Sequence, residues 1–106
     1  MSERVKLVWF VPEQALDLTR DAVFSAGAGR IGYYERCSWY AAGMGTFLGG
    51  EGTHPTLGQR GREEHVAELR VETVVSVAQL EAAVAALRAA HPYEEPAYDV
   101  YPLLDA

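Results

Sequence analysis

Thirteen residues near the end of the chain, His91 to Leu103, read HPYEEPAYDVYPL and bring a histidine and two adjacent glutamates together. Imidazole and carboxylate side chains bind divalent cations and transfer protons, so the stretch could be a metal or acid–base site. The alternative is structural: His91 would complete the apolar face of a helix and hydrogen-bond a backbone carbonyl, and the prolines would set the turn into a strand. Because adjacent carboxylates in extended backbone point to opposite sides, Glu94 and Glu95 favour the structural interpretation.

Other residues that could bind a metal are scattered along the sequence. Histidines stand at positions 54, 65 and 91 and the single cysteine at 37, and these positions lack the short paired spacings of zinc sites. We therefore predict no catalytic set, no resident metal and no cofactor. A divalent-metal binder is the alternative hypothesis, and its candidate ligands are His54, His65, His91, Glu94 and Cys37.

A glycine-rich stretch, residues 49–61 with the sequence GGEGTHPTLGQRG, is the second place where a ligand could bind. Five glycines and a proline in this stretch predict a loop. No Gly-Lys-Ser/Thr follows the glycines, so the stretch does not match a P-loop. The candidate ligand-loop residues are Gly49, Gly50, Glu51, Gly52, Thr53 and His54.

Composition and charge restrict the class of protein. The 106 residues suffice for one domain, residues 1–106. The net charge is −6 and the nine basic residues are scattered, which argues against nucleic acid because a phosphate backbone requires a basic face. No apolar run approaches the ~20 residues that cross a bilayer, and a lone cysteine suits a reducing compartment. We expect a cytoplasmic protein without a membrane contact.

The hydrophobic periodicity predicts the elements that position these residues. Apolar residues at every second position predict strands over 5–11 and 66–75, and a third strand over 97–101. A helix should begin at Pro12 and end at Gly27. A second helix should begin at Ser76, with Gln79 completing a capping box, and should bury Val77, Leu80, Ala83, Val84 and Leu87. Residues 37–41 and 44–48 are strand-like and predict either a tight hairpin around Gly43 or one bulged strand.

This order predicts an α+β, ferredoxin-like fold in which an antiparallel sheet carries two helices on one face. The helices can cover only that face. Val8 and Phe10 should then lie on the uncovered face, and a large exposed apolar patch usually marks an interface. We predict a homo-oligomer whose helix-free sheet faces meet at Val8 and Phe10.

Four segments, residues 7–13, 24–39, 43–58 and 91–103, resemble the domain inserted in the Nif-three-like (YqfO) family. AGAGRIG, GTF followed by EGT, and HPYEEPAYD occur in the expected order, and the similarity covers nearly the whole chain. HPYEEP also resembles the end of CutA, a divalent-cation-tolerance protein. The residues of this family signature are His91, Pro92, Tyr93, Glu94, Glu95 and Pro96.

The resemblance implies a PII/CutA-type fold and a homotrimer packed through its sheets. Full-length members add a two-lobed shell with a di-metal site, whereas this sequence corresponds to a stand-alone version of the inserted domain. The hydrolase-like and GTP-cyclohydrolase-type activities are therefore not expected here. The resemblance favours a non-enzymatic regulatory or sensor module that binds a small ligand or a protein partner; divalent-metal binding of the CutA type is the alternative, and hydrolase-like activity ranks last.

Overall fold

The computed structural model describes residues 3–53 and 59–105. The strands are β1 (Arg4–Val11), β2 (Ser38–Leu48), β3 (Glu63–Ser76) and β4 (Tyr98–Pro102), and the helices are α1 (Leu16–Ser25), which follows a 3-10 turn at Glu13–Ala15, and α2 (Val77–Ala90). The strands form one antiparallel sheet in the order β2-β3-β1-β4. This architecture confirms the predicted α+β, ferredoxin-like fold. Within the described ranges, the helices are too short or too polar to cross a membrane.

The hydrophobic core lies between the sheet and the two helices. Alternate residues of β1 point into it, and Leu7, Trp9 and Val11 are fully buried there with Val23 of α1 and Leu87 of α2. The Trp9 indole N–H donates a hydrogen bond of 3.0 Å to the Thr19 hydroxyl. That hydroxyl lies 2.9 Å from the Ala15 carbonyl, to which it donates in turn. These hydrogen bonds of Thr19 fix α1 against the centre of β1.

The end of α1 is a Schellman motif built on Gly27, as the sequence predicts. Gly27 has a φ of 107°, which favours a residue without Cβ. Its N–H donates to the Phe24 carbonyl at 3.0 Å, and the Ala28 N–H donates to the Val23 carbonyl at 3.0 Å. These two bonds satisfy carbonyls that the helix leaves unpaired, and the helix stops.

Residues 38–48 form neither a hairpin nor a bulged strand, so both alternatives for this segment are wrong. The register between β2 and β3 runs without interruption from Ser38 opposite Thr73 to Leu48 opposite Glu63. Gly43 and Gly45 lie inside the continuous strand. At Gly45 a Cβ would overlap the side chain of Glu68, so this glycine gives room to a neighbouring side chain and does not turn the backbone.

The start of α2 also differs from the prediction. Ser76 is the N-cap residue, but its hydroxyl donates to the Gln79 side-chain oxygen at 2.9 Å and caps no backbone N–H. The capping box is therefore absent because the two side chains bond each other. Val77, which was expected on the buried face, is exposed in the first turn, whereas Ala83 and Leu87 are fully buried.

The helix-free face of the sheet is not the exposed apolar patch that we predicted. Val8 lies on this face, opposite Glu72 of β3 and Asp99 of β4, yet it is 0% exposed. Phe10 is half-buried, and the Arg70 guanidinium lies 5.6 Å from the centre of its ring. The expectation of an exposed Val8 is therefore wrong, because charged neighbours cover it.

The cover over Val8 is a network of charged and phenolic side chains. Glu72 accepts a hydrogen bond from Lys6 at 3.2 Å and another from Arg70 at 3.1 Å. Arg70 also interacts with the hydroxyl of Tyr101, which lies on the opposite side of β1. A second copy of the chain that packs on this face would contact these charged and phenolic side chains. The oligomer face at Val8 and Phe10 stays a prediction.

Candidate functional site

His91 joins the end of α2 to the end of β1. Its ring Nε2 lies 2.6 Å from the Phe10 carbonyl oxygen, and its Nδ1 accepts the backbone N–H of Tyr93 at 3.1 Å. Since Nδ1 accepts, the ring proton belongs on Nε2, which then donates to the carbonyl. Both ring nitrogens are occupied within the chain. The structure places His91 in the role of the structural interpretation, a helix-ending residue bonded to a backbone carbonyl.

The protonation of His91 follows from its surroundings. The residue is 6% exposed, and burial lowers the pKa of the imidazole, while the Phe10 carbonyl acts in the opposite direction with a smaller effect. A second ring proton would also face the Tyr93 N–H. The imidazole is therefore neutral at neutral pH.

The segment that follows His91 forms one wall of a groove. The Phe10 N–H donates to the Ala97 carbonyl at 3.2 Å, so both backbone groups of Phe10 bond this segment. The groove has a volume of about 270 Å³ and opens on the sheet beyond the end of β1. Its lining residues are Phe10, Gly45, Thr46, Phe47, Leu48, Gly49, Thr53, Val66, Glu68, Tyr93, Glu94, Glu95 and Ala97.

Two stretches that lie some forty residues apart in the sequence meet at this groove. From the glycine loop, Gly49 and Thr53 line it, and from the family signature, Tyr93, Glu94 and Glu95 do so. The lining does not include the remaining described members of the two sets, Gly50, Glu51, Gly52, His91, Pro92 and Pro96. His54 lies outside the described residues.

The hydroxyl of Tyr93 is the least satisfied polar group in the groove. Its oxygen is buried and has no hydrogen-bond partner among the residues that the structure describes. Burial raises the pKa of this phenol, and the charge of Glu68 raises it further. A buried hydroxyl without a partner costs about 1–3 kcal/mol, so the oxygen would gain from a ligand that donates or accepts a hydrogen bond.

Glu68 is the residue that sequence reasoning missed. The alternation of β3 placed it among solvent-facing polar residues, whereas the structure half-buries it in the groove, where burial raises the pKa of its carboxyl. Its side chain lies over Gly45 of the neighbouring strand. The signal in the sequence was the pair Gly43 and Gly45 inside an otherwise regular strand, which leaves space for a side chain from β3.

Two of the other proposed metal ligands, His65 and Cys37, have their contacts elsewhere in the structure. His65 is exposed on β3, where its Nε2 lies 3.6 Å from Glu63. Cys37 precedes β2, and its sulfur lies 3.8 Å from the Glu35 carbonyl. Across residues 3–53 and 59–105, no group of three or more histidine, cysteine, aspartate or glutamate side chains is placed to hold a metal ion.

Sequence and structure comparisons place the chain among known proteins. It is 51% identical over 98 residues to a protein of Halalkalibacterium halodurans described as a GTP cyclohydrolase 1 type 2 homolog, a match that covers 92% of this chain and 26% of the relative. A Bacillus cereus protein related to NIF3 superposes with a TM-score of 0.86 and 41% identity over 98% of this chain and 26% of that one. The chain is homologous to one domain of the NIF3-related family. No protein-family model matches it.

The chain spans about a quarter of the length of these NIF3-related relatives. The activity for which these relatives are named is therefore that of proteins about four times as long as this chain.

More distant structures show the fold alone. CutA1 from a Shewanella species superposes with a TM-score of 0.72 at 13% identity, covering 99% of this chain and 85% of that one. GlnK of Bacillus subtilis gives a TM-score of 0.63 at 12% identity over 96% and 86% of the two chains. These likenesses confirm the PII/CutA-type fold of the NIF3-related domain.

The two hydrogen bonds of the buried His91 ring predict a pH dependence of stability. The pKa of His91 is below its usual value in the folded chain, so the unfolded chain takes up the proton first as the pH falls. The stabilisation by neutral His91 is fully present above the pKa that His91 has in the unfolded chain. It is lost as the pH falls through the lower pKa that His91 has in the folded chain. We expect the urea midpoint to decrease between about pH 7 and about pH 5.

Replacing His91 by glutamine should flatten this decrease, because glutamine keeps an N–H donor for the Phe10 carbonyl and does not titrate. His65→Gln is the matched control, since His65 is exposed and its substitution should leave the pH dependence as in the parent chain. Equal slopes for the parent and His91→Gln would contradict the assignment of a neutral, buried His91.

Proposed function

We propose that this NIF3-related domain is a non-enzymatic regulatory or sensor module that binds a small ligand in the groove between the glycine loop and residues 93–97. The single observation that carries the proposal is a groove of about 270 Å³ lined by Tyr93, whose buried hydroxyl has no hydrogen-bond partner among the described residues. Binding pockets are typically apolar concavities with a few polar groups. Here the apolar lining comes from Phe10, Phe47 and Val66, and the polar groups are Tyr93 and Glu68.

The position of the groove supports a sensor more than a storage site. Gly49 and Thr53 belong both to its lining and to the start of the glycine loop. The base of the loop is closed by the Gly61 N–H, which donates to the Gly49 carbonyl at 2.6 Å. A ligand in the groove would contact this base directly. Its binding would change the glycine loop, and a protein partner that contacts the loop would detect that change.

We propose further that the module acts as a homotrimer. In the sheet, β2 pairs only with β3, so one edge of this 11-residue strand has no partner among the described residues. Trp39, Tyr40, Met44 and Leu48 of the same strand are exposed. A long apolar edge strand is a ready surface for pairing with another chain, and the resemblance to PII/CutA-type domains favours three copies.

Native mass spectrometry tests the assembly. We expect a mass of three chains for the purified protein at micromolar concentration, because the apolar edge of β2 would be covered. Replacing Met44 and Leu48 together by lysine should shift the mass toward the single chain, whereas the same change at Ala82 and Ala85, exposed on α2, should not. A single-chain mass for the unmodified protein would contradict the trimer.

A ligand screen tests the site itself. Mixtures of small metabolites are added to the protein and bound compounds are detected by saturation-transfer NMR. We expect compounds that bind the parent chain to lose binding in Ala97→Trp, because the indole would fill the groove. The control is Ala85→Trp, which adds the same bulk on the exposed face of α2.

Circular dichroism confirms that both tryptophan variants fold. If compounds bind Ala97→Trp as well as they bind the parent and the control, the ligand site is elsewhere and the proposal fails.

A further inference from the structure

We propose that the groove selects a small organic cation, an amine with an apolar or aromatic body whose ammonium group meets the Glu68 carboxylate beside Tyr93. The inference rests on the proposed function, because it names the chemical class of ligand for the same groove. It is carried by the charge of the lining, by the placement of Glu68 over Gly45 and by the aromatic wall.

Among the described residues that line the groove, the charged ones are acidic. Glu68, Glu94 and Glu95 are in this lining, and its described members include no lysine, arginine or histidine. A phosphate or carboxylate ligand next to Glu68 would meet like charge. A cation would meet opposite charge in a partly desolvated site, where the attraction is stronger than in bulk water.

Glu68 is the group that would gain most from a cation. Burial raises the pKa of its carboxyl, and no positive charge from the described residues offsets this shift. Glu72, four residues further along the same face of β3, shows the contrast, because Arg70 and Lys6 hold the pKa of its carboxyl low. Among the described residues, cations therefore accompany Glu72 on the sheet face but not Glu68 in the groove.

The backbone holds the Glu68 carboxylate in place for such a ligand. The side chain lies across Gly45, where a Cβ would overlap it, and it borders the groove beside Tyr93. The charge of Glu68 acts on the Tyr93 phenol and raises its pKa, so the two groups are close at the groove. An ammonium group in the groove would meet the Glu68 carboxylate next to Tyr93.

The aromatic wall suits the same class of ligand. Phe10 and Phe47 line the groove with Val66 and Ala97. The ring of Phe10 already contacts a cation, the Arg70 guanidinium, at 5.6 Å. Aromatic faces attract cations and also bury apolar carbon, so a phenyl or alkyl body next to the ammonium group fits this wall.

Three probes of the same shape test the assignment. Phenethylamine, 2-phenylethanol and 3-phenylpropionate share the ring and differ in the charge of the end group. Each is titrated into nitrogen-15-labelled protein, and the amide shifts of Gly45, Gly49, Thr53 and Tyr93 report binding in the groove. We expect phenethylamine to bind about tenfold tighter than the alcohol, and the carboxylate to bind weakest.

Two variants locate the preference. Glu68→Gln keeps the shape and removes the charge, so it should abolish the advantage of the amine over the alcohol, whereas Glu81→Gln on the exposed face of α2 should preserve it. Gly45→Ala displaces the Glu68 side chain without changing the charge and should weaken amine binding in the same way.

The outcomes separate this inference from the proposed function. If the alcohol or the carboxylate shifts the groove amides at lower concentration than the amine, the groove is a ligand site and the cation assignment is overturned. If the preference for the amine survives in Glu68→Gln, the assignment of Glu68 is overturned. If no probe shifts any groove amide at millimolar concentration, both the cation assignment and the groove as the ligand site fail.

Discussion

The groove depends on the way in which one residue, Phe10, is bonded on both sides of its backbone. Its carbonyl accepts a hydrogen bond from the Nε2–H of His91 at 2.6 Å, and its N–H donates a hydrogen bond to the carbonyl of Ala97 at 3.2 Å. The five residues between these two contacts are held as an arch beside the end of β1. Tyr93 lies on this arch and borders the groove. His91 is neutral and buried, so hydrogen bonds between uncharged groups hold the arch at this point.

The polar groups that line the groove fit a ligand site supported by this arch. Natural sequences violate the rules of polar satisfaction at a few positions, and these positions are typically functional. The Tyr93 hydroxyl is such a group, and Tyr93 lines the groove with Glu68 and with Gly49 at the base of the glycine loop. The other buried side-chain nitrogen and oxygen atoms of the described residues have hydrogen-bond partners, as the bond from Trp9 to Thr19 illustrates in the core.

Local patterns in the sequence predicted the frame well. The period of two in β1 and β3 and the glycine after α1 determine which side chains are buried and where the helix ends, and these predictions need no knowledge of distant contacts. The role of His91 also follows from local pattern, since it extends the buried face of α2 by one position before Pro92. The resemblance to the Nif-three-like family added the PII/CutA-type fold, which the comparisons confirm.

The burial of Val8, the continuity of β2 and the position of Glu68 could not be predicted, because they depend on contacts between strands that are distant in sequence. Val8 is buried by side chains from both neighbouring strands, so its burial required the register of β1 with β3 and β4. Gly43 suggested a break in β2, whereas the strand is continuous there and the nearby Gly45 gives room to Glu68. The importance of Glu68 could not be seen without that placement, because an alternating strand assigns such a residue to solvent.

The measurement that tests the arch most directly is a long-range nitrogen-15 NMR spectrum of the histidine rings, with the His91 signals assigned from the His91→Gln variant. It reports which ring nitrogen carries the proton. The structure predicts a neutral His91 at neutral pH, with its proton on Nε2 and a bare Nδ1 that accepts from Tyr93. A doubly protonated ring, or a proton on Nδ1 alone, would contradict the hydrogen-bond pattern in which Nε2 donates to the Phe10 carbonyl and Nδ1 accepts from Tyr93. It would also contradict the structure of the groove that depends on these bonds.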